Sequence, residues 1–239
     1  MTNFTLYLLR HGESVANVER VFAARKIDPP LSDRGIQQIT MQAKSLRDLS
    51  LNSPFEFSAL YASPLLRAKH TAEIVSQWCG LEPIFSEDLM EVDVGILDGE
   101  NQEDAVKWAM YENVMKKWEQ GLNDVGFQGG ESLNDIECRF RRFLEELENK
   151  RPEWEREAPA EPEDETQNRI KQSKDILVVG HCLLFMAVIW LFCENHGPTL
   201  EDGHMGRGHL SVISRNNDRF RLLKFNIPPG TSRRDIFST

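Results

Sequence analysis

Residues 4–14 read Phe-Thr-Leu-Tyr-Leu-Leu-Arg-His-Gly-Glu-Ser. The first six are apolar at nearly every position, which is typical of a central parallel strand covered on both faces. Arg10 and His11 follow directly, and such side chains beyond a buried strand are costly unless they are solvated or paired. This stretch therefore predicts a strand of a parallel sheet and a functional position at its end.

A second strand end carries an arginine. Residues 58–62 predict a short buried strand, and Ser63 and Pro64 then predict a helix start, with Ser63 as the N-cap and Pro64 in the first helical position. Arg67 falls in the first turn of that helix. Because helical side chains lean toward the helix N-terminus, we expect Arg67 to reach the same edge of the sheet as Arg10 and His11.

A third strand end carries a histidine. Residues 176–193 contain no formally charged side chain, and this length is at the lower limit of a membrane span. Gly180 and His181 interrupt the run after four apolar residues. We therefore interpret it as a strand, a turn with His181, and a buried helix from Leu183 to Cys193; a membrane span is the alternative.

Strands that alternate with helices predict an α/β fold. We expect a three-layer sandwich in which helices flank a mainly parallel central sheet, with ligands bound beyond the carboxyl ends of the strands. One of the helices should start after Ser32 as N-cap and turn Ile36, Ile39 and Ala43 toward the core. Two further strands are predicted near residues 210–214 and 220–225.

The composition fits one domain over residues 1–239. We expect a helical cap region at about 87–150. An acidic, proline-containing insertion follows at about 151–173 and is predicted to be flexible because it holds little apolar content. A polar tail begins at about residue 228.

The charge balance bears on partners. Asp plus Glu number 38 against 28 Lys plus Arg, a formal net charge of -10, which argues against nucleic acid or an anionic membrane as a partner. The four cysteines form no CxxC pair, and residues 1–14 do not resemble a signal peptide. We therefore expect a reducing, cytoplasmic location.

Two arginines and two histidines at one sheet edge suit the capture of a phosphoryl group. The planar guanidinium matches phosphate oxygens, a neutral imidazole can attack phosphorus, and a carboxylic acid must protonate the leaving oxygen. Each of these residues, taken alone, is more often structural. Their coincidence at three strand ends is what favours the functional interpretation.

The ordered motifs resemble the histidine phosphatase superfamily, which includes the phosphoglycerate mutases. The similar segments cover nearly the whole chain except the acidic insertion and the tail. They are Leu9-Arg10-His11-Gly12-Glu13-Ser14 with Asn17, Leu31-Ser32-Asp33-Arg34-Gly35, Ser63 to Ala72, Leu89-Met90-Glu91-Val92-Asp93-Val94-Gly95 with Asp98-Gly99, Gly129-Gly130-Glu131-Ser132, and Val178-Val179-Gly180-His181.

The resemblance implies the phosphoglycerate mutase-like fold and a two-step reaction that needs neither metal nor cofactor. His11 becomes phosphohistidine, and Glu91 protonates the leaving alcohol and later deprotonates water. The resemblance assigns the phosphoryl oxygens to Arg10, Arg67 and His181, with Asn17 as an additional donor. Asp93 and Asp98 are rival acids, and Glu91 is preferred because its place in the motif matches.

The chain also departs from the family pattern. Cys182 follows the second histidine where Gly is usual, and we interpret it as a small buried thiol rather than a redox switch. His209 stands where the family often has Asn. A metal site is disfavoured because the spacing matches no metal-binding motif for the remaining candidates, His196, His204, His209, Glu201 and Asp202.

These residues predict a metal-independent phosphatase acting on a small phosphorylated substrate. The mutases carry Trp-Asn after the first signature and Arg-His-Tyr-Gly after the acidic Glu, whereas this chain has Val15-Ala16-Asn17 and Val92-Asp93-Val94-Gly95. A mutase or a sugar-bisphosphate phosphatase is the alternative within the fold. A non-catalytic interaction module is the alternative from another class, and a homodimer is left open.

Overall fold

The computed structural model describes residues 4–51, 57–156, 174–197, 200, 204–217 and 219–232. Its centre is a six-stranded sheet in the order β3-β2-β4-β1-β5-β6. The strands are β1 (Phe4–Arg10), β2 (Phe57–Ala62), β3 (Pro83–Phe85), β4 (Lys174–Gly180), β5 (Leu210–Asn216) and β6 (Arg219–Ile227). The first four run parallel, β5 is antiparallel to β1, and β6 is antiparallel to β5. The predicted mainly parallel sheet is thus confirmed.

Helices cover both faces of the sheet. They are α1 (Val15–Glu19), α2 (Asp33–Leu51), α3 (Leu66–Cys79), α4 (Ala105–Glu119), α5 (Leu133–Arg156) and α6 (Cys182–Phe192), with single-turn helices at Glu87–Leu89 and Gly95–Leu97. On β1, Leu6 and Leu8 face the core that α4, α5 and α6 complete, whereas Tyr7 and Leu9 face the core under α2 and α3. The alternating directions of side chains along a strand therefore give β1 one apolar face for each helical layer.

The uncharged run at 176–193 is divided as expected. Its first part continues β4 to Gly180, and its second part forms α6 from Cys182 to Phe192. A Cβ on Gly180 would lie 2.7 Å from the ring of Phe185, so glycine permits α6 to turn back closely over the strand. Within the described part of the chain, no helix is both long and apolar enough to cross a membrane.

Two helix starts show one correct and one wrong prediction. Ser32 accepts a hydrogen bond from the backbone N–H of Gly35 at 3.1 Å and caps α2, as predicted. Ser63 is not the N-cap of α3, which begins two residues later than predicted, at Leu66. Instead, the carboxylate of Asp28 accepts from the backbone N–H of Leu66 at 2.8 and 2.9 Å. The Ser63 hydroxyl accepts from the N–H of Leu65 at 3.3 Å and lies 2.7 Å from Nε2 of His181.

The predicted segments outside the sheet are described in part. Helix α5 extends to Arg156 and so takes in the first six residues of the predicted insertion. Residues 157–173 of that insertion, and residues 233–239 of the predicted polar tail, lie outside the described residues. The division of the chain into one domain with a cap, an insertion and a tail therefore stays a prediction.

Candidate active site

Three strand ends converge at one edge of the sheet. In the parallel register, Arg10 pairs with Gly180 and Ala62 pairs with Val179. His11, Ser63 and His181 are the residues that follow these strands. His11 lines a cleft of about 150 Å³ together with Arg10, Asn17, Arg67 and Glu91. Ser63 and His181 are not part of the described lining, and His181 joins the site through its contact with the ring of His11. The structure thus brings together the side chains that the sequence placed at separate strand ends.

His11 is buried and held in one tautomer. Its Nδ1 lies 2.6 Å from the carbonyl oxygen of Gly12. A carbonyl oxygen only accepts, so Nδ1 carries the proton and Nε2 keeps a lone pair. Burial, and then the charges of Arg67 and Arg10, hold the pKa of His11 well below its usual value of 6.5. A neutral imidazole with a free Nε2 is the form that can act as a nucleophile.

His181 faces His11 across a short distance. The two ring centroids are 5.2 Å apart. The Nε2 atom of His181 lies 2.7 Å from Oγ of Ser63, while its buried Nδ1 has no hydrogen-bond partner among the residues that the structure describes. Burial, and then the charge of Arg67, hold the pKa of His181 well below 6.5. A buried ring nitrogen without a described partner, beside His11, fits a position that awaits a ligand atom.

The two arginines differ in how they are held. Arg10 donates from one terminal nitrogen to the carbonyl oxygen of Met205 and lies 3.1 Å from Nε2 of His204. Its Nε is buried and meets no hydrogen-bond partner within the described parts of the chain. The guanidinium of Arg10 therefore has donor capacity left for an anion in the cleft.

Arg67 is buried and fixed from several sides. It forms an ion pair with Asp28 at 3.2 Å and donates to the carbonyl oxygens of Ala23 and Ala24 at 2.9 and 3.1 Å. Asp28 thus both caps α3 and orients the arginine in its first turn. Because these contacts already fix its rotamer in the folded protein, Arg67 loses little side-chain entropy when an anion binds. It is therefore suited to bind an anion in one position.

Glu91 reaches the cleft from the loop after β3. Its Oε1 accepts from the backbone N–H groups of Val92 and Leu184, each at 2.9 Å, and its Oε2 accepts from Leu183 at 3.3 Å. Leu183 and Leu184 belong to the first turn of α6, which starts directly after His181. A carboxyl at a helix N-terminus is favoured by the exposed N–H groups there. This contact places Glu91 next to the second histidine motif.

The rival acids occupy structural positions. Asp98 is buried, and its carboxylate accepts from four consecutive backbone N–H groups, those of residues 24–27, at 2.6 to 3.4 Å. Asp93 accepts from the N–H of Gly95 at 2.8 Å within its own turn. Neither residue lines the cleft, whereas Glu91 does. The geometry therefore favours Glu91 among the three carboxylic acids.

Asn17 lines the cleft from α1. Its Oδ1 accepts from the backbone N–H of Ser14 at 3.1 Å, and the Ser14 hydroxyl accepts from the N–H of Asn17, which completes a capping box. The oxygen of the amide is thus occupied, and its Nδ2 is the group that can donate to an anion.

Cys182 and the histidines outside the two motifs make local contacts. Cys182 is half-buried, burial raises its pKa, and its Sγ lies 3.6 Å from the carbonyl oxygen of Met205. His204 contacts Arg10, and burial followed by the charge of Arg10 lowers its pKa to about 4. His209 donates to a backbone carbonyl of β6, and His196 contacts an indole ring. Glu201 and Asp202 lie outside the described residues.

The sequence did not predict several residues that line the cleft. Arg207 lines the cleft and pairs with Glu13 at 3.4 Å. Phe22, Trp108 and Tyr111 also line it, although they come from two distant parts of the chain. No local pattern marks these four residues, because a loop arginine and single aromatic residues occur on most protein surfaces. Asp28 has only a Pro-Pro pair beside it to suggest an ordered loop.

A family model described as "Histidine phosphatase superfamily (branch 1)" matches residues 6–156 of this chain. The matched stretch contains Arg10, His11, Arg67 and Glu91, and His181 lies beyond it.

Two curated relatives and one solved structure are similar to the chain. The 2,3-bisphosphoglycerate-dependent phosphoglycerate mutase of Rhizobium etli is 36% identical over 139 residues, which are 56% of this chain and 62% of the mutase. This chain thus spans less than two thirds of that relative. Phosphoserine phosphatase 1 of Hydrogenobacter thermophilus is 32% identical over 225 residues, 93% of this chain and 92% of the phosphatase. A mycobacterial glucosyl-3-phosphoglycerate phosphatase, solved with VO3, is 25% identical with a TM-score of 0.68, and the match covers 94% of this chain and 99% of that chain.

Proposed function

Because this chain belongs to the histidine phosphatase superfamily, we propose that it is a metal-independent phosphatase that hydrolyses phosphate monoesters through a phosphohistidine at His11. The observation that carries the proposal is the state of His11. Its Nδ1 is tied to the carbonyl oxygen of Gly12, its pKa is depressed, and Nε2 is left as a free lone pair beside Arg10 and Arg67. Such an imidazole needs no separate base to attack phosphorus.

The reaction proceeds in two steps. In the first, Nε2 of His11 forms a bond to phosphorus, the ester P–O bond breaks, and Glu91 gives its proton to the leaving oxygen. In the second, water attacks phosphorus, Glu91 takes a proton from that water, and the P–N bond breaks to release inorganic phosphate. Arg10, Arg67 and His181 offset the charge on the phosphoryl oxygens in both steps.

The segment after Glu91 favours a phosphatase over a mutase. Val92 and Val94 are buried in the core, and the carboxylate of Asp93 accepts from its own turn. This segment therefore offers the cleft no cation at which the acid group of a phosphoglycerate could bind. The long match to a phosphoserine phosphatase supports the same choice. A mutase or a sugar-bisphosphate phosphatase remains the alternative within the fold, and a non-catalytic module the alternative outside it.

The test compares leaving groups in three variants. His11→Ala should abolish hydrolysis of every ester and leave no phosphohistidine. Glu91→Gln keeps the shape of the side chain but cannot shuttle a proton, which costs about 10²–10⁴-fold for an alkyl phosphate. The first step with a nitrophenyl ester should change little, because nitrophenolate leaves without protonation. The second step then lacks a base, so phosphohistidine should accumulate and be trappable by a quench that avoids acid.

Asp93→Asn is the matched control, because this carboxylate lies close in sequence but outside the cleft lining. It should show no dependence on the leaving group. If Asp93→Asn shows that dependence and Glu91→Gln does not, the acid has been assigned wrongly. If the wild-type protein hydrolyses neither ester, the chain is not a phosphatase, and isomerisation of a phosphoglycerate should then be assayed. A cytoplasmic location remains a prediction from the sequence, which leaves a homodimer open.

A further inference from the structure

Three aromatic rings form one side of the cleft. Phe22 follows α1, and Trp108 and Tyr111 lie on α4; we call these three residues the aromatic wall. The ring centroids of Phe22 and Trp108 are 6.0 Å apart at an interplanar angle of 22°, and those of Trp108 and Tyr111 are 5.4 Å apart at 26°. The rings are thus close to parallel and stacked on one another, and all three contribute apolar atoms to the cleft lining.

Trp108 is the member of the wall that a ligand can reach. Its side chain is 40% exposed, whereas Phe22 is buried. Its indole N–H is already bound to the carboxylate of Glu112 at 2.7 Å. What Trp108 presents is therefore ring surface rather than a free polar group.

The wall lies on the side from which the alcohol departs. Glu91 must reach the leaving oxygen, so the leaving group lies next to Glu91. Tyr111 is close enough to Glu91 and Cys182 for their charges to add to the effect of burial in raising its pKa. Val94 and Leu183 complete the lining of this part of the cleft with apolar surface. A leaving group positioned for protonation therefore meets the aromatic wall.

The cations near this side are already engaged. Arg25 pairs with Glu131 at 2.9 Å and donates to the carbonyl oxygen of Glu91, and Arg20 pairs with Glu103. Besides Arg10 and Arg67, the described cleft lining contains one further arginine, Arg207. That arginine belongs to the loop before β5. A carboxylate or second phosphate on the leaving group would find no arginine on the wall itself.

The cleft also continues outward past Trp108. A second cavity of about 350 Å³ is lined by Arg20, Gln102, Glu103, Ala105 and Trp108, and it shares Gln102 and Trp108 with the cleft. The ion pair of Arg20 and Glu103 lies at this outer cavity. A leaving group larger than a single small alcohol can therefore extend beyond the wall without displacing the core.

From the stacked rings, the apolar lining around Glu91 and the outer cavity, we infer that the substrate is a phosphate ester of a flat aromatic alcohol. Its ring packs against Trp108 while its phosphoryl group lies between Arg10, Arg67 and His11. This inference rests on the proposed phosphatase function and specifies its substrate class.

The test uses esters whose alcohols have similar basicity, so that ring contact alone differs. These are benzyl phosphate, 2-naphthylmethyl phosphate and n-propyl phosphate, with 3-phosphoglycerate as the anionic comparison. In the wild-type protein, kcat/KM should rise from propyl to benzyl to naphthylmethyl. Trp108→Ala should lower kcat/KM for the two aromatic esters by about 3- to 10-fold and leave the propyl ester within about twofold, as expected for the loss of one ring contact. Trp108→Phe should retain most of the preference.

Trp78→Ala is the matched control, since this indole lies between Lys44 and Arg47 on the other helical layer. It should change no ratio of substrates. An equal loss for all esters in Trp108→Ala, or no preference in the wild-type protein, would overturn the inference. So would a preference for 3-phosphoglycerate that Arg207→Gln abolishes, because that result would assign the leaving group a second anion.

A binding measurement separates this inference from the proposed reaction. Benzylphosphonate and propylphosphonate cannot be hydrolysed at phosphorus by loss of an alcohol, and calorimetry gives their affinities without turnover. Benzylphosphonate should bind the wild-type protein about 3- to 10-fold more tightly than propylphosphonate, and Trp108→Ala should remove this difference in affinity. If that preference holds while no ester is hydrolysed, only the phosphatase proposal fails. Equal affinities would reject the aromatic subsite even if the esters are hydrolysed.

Discussion

Ser63 is expected to fix the proton of His181, and replacing it tests the way in which the phosphoryl pocket is organised. The Ser63 hydroxyl lies 2.7 Å from Nε2 of His181 and accepts from the N–H of Leu65 at 3.3 Å. His181 is neutral and has one N–H, because burial lowers its pKa. If Ser63 donates to Nε2, the imidazole proton is on Nδ1. The buried Nδ1, for which the described residues supply no partner, can then donate to a phosphoryl oxygen.

The size of the effect follows from that hydrogen bond. Ser63→Ala removes the donor to Nε2. Because a buried acceptor without a donor is costly, the imidazole proton should move from Nδ1 to Nε2. With its proton on Nε2, the imidazole has no N–H on Nδ1, and the phosphoryl group loses a charge-assisted hydrogen bond, which is worth about 1.5–3 kcal/mol. This corresponds to a fall of about 10- to 100-fold in kcat/KM. Inhibition by vanadate should weaken by a similar factor, since vanadate uses the same oxygens.

The assay combines kinetics with a direct measurement of the tautomer. In ¹⁵N NMR of the vanadate complex, His181 should carry its proton on Nδ1 in the wild-type protein and on Nε2 in Ser63→Ala. Ser86→Ala is a matched control, because Ser86 is also buried and follows a strand, β3, whereas the serine that contacts His181 is Ser63. Full activity in Ser63→Ala, or a wild-type complex with the proton on Nε2, would refute the reasoning.

Three further outcomes are expected. Because burial and the flanking arginines depress the pKa of His11, its ring should remain neutral by NMR below pH 6.5, where a free histidine becomes protonated. The unfolded chain then binds a proton that the folded protein does not, so stability falls as the pH drops below 6.5. The difference in unfolding free energy between the wild-type protein and His11→Gln should shrink there, and a constant difference would contradict the assignment. Burial raises the pKa of Asp175 from 3.8 to about 7, so its ionisation lowers stability increasingly as the pH rises between these values. In calorimetry, Asp175→Asn should therefore raise Tm at pH 8 but not at pH 4. An equal shift of Tm at both pH values would argue against burial as the cause. Asp98→Asn leaves one acceptor oxygen where two now accept from four backbone N–H groups, which should lower the free energy of unfolding by about 1–3 kcal/mol in urea titrations. The hydrolysis of aryl and alkyl phosphates should fall equally. A loss restricted to alkyl phosphates would instead assign the role of general acid to Asp98.

Local sequence predicts the central strands well and the sheet edge poorly. Strand β1 is apolar on both faces and β4 carries the buried run from Ile176 to Val179, and these patterns depend on nothing beyond the strand itself. Strand β3 was not predicted. It has only three residues, begins with Pro83 and is partly exposed at the edge of the sheet, where proline is tolerated but apolar periodicity is too short to recognise.

The helix starts show the same limit. Ser32 caps α2 from three residues before Gly35, a local contact that the sequence predicts. At α3 the sequence predicted Ser63, whose hydroxyl instead contacts His181, more than 100 positions later in the chain. The cap comes from Asp28, which the sequence separates from Leu66 by a strand and a helix. The side chain that caps α3 is therefore set by the tertiary fold rather than by the residues next to the helix in sequence.

The sequence by itself determined that Arg10, His11, Arg67 and His181 would meet. Each lies at the end of a strand that the sequence predicts or in the first helical turn after one, and parallel strands end at one edge of the sheet. Only the tertiary structure decided what surrounds them. The anchoring of Glu91 on the first turn of α6, and the aromatic wall from α4 and the loop after α1, depend on contacts between segments far apart in the chain. Local patterns record which residues are buried in one strand or helix, whereas such contacts are set by how the layers pack together.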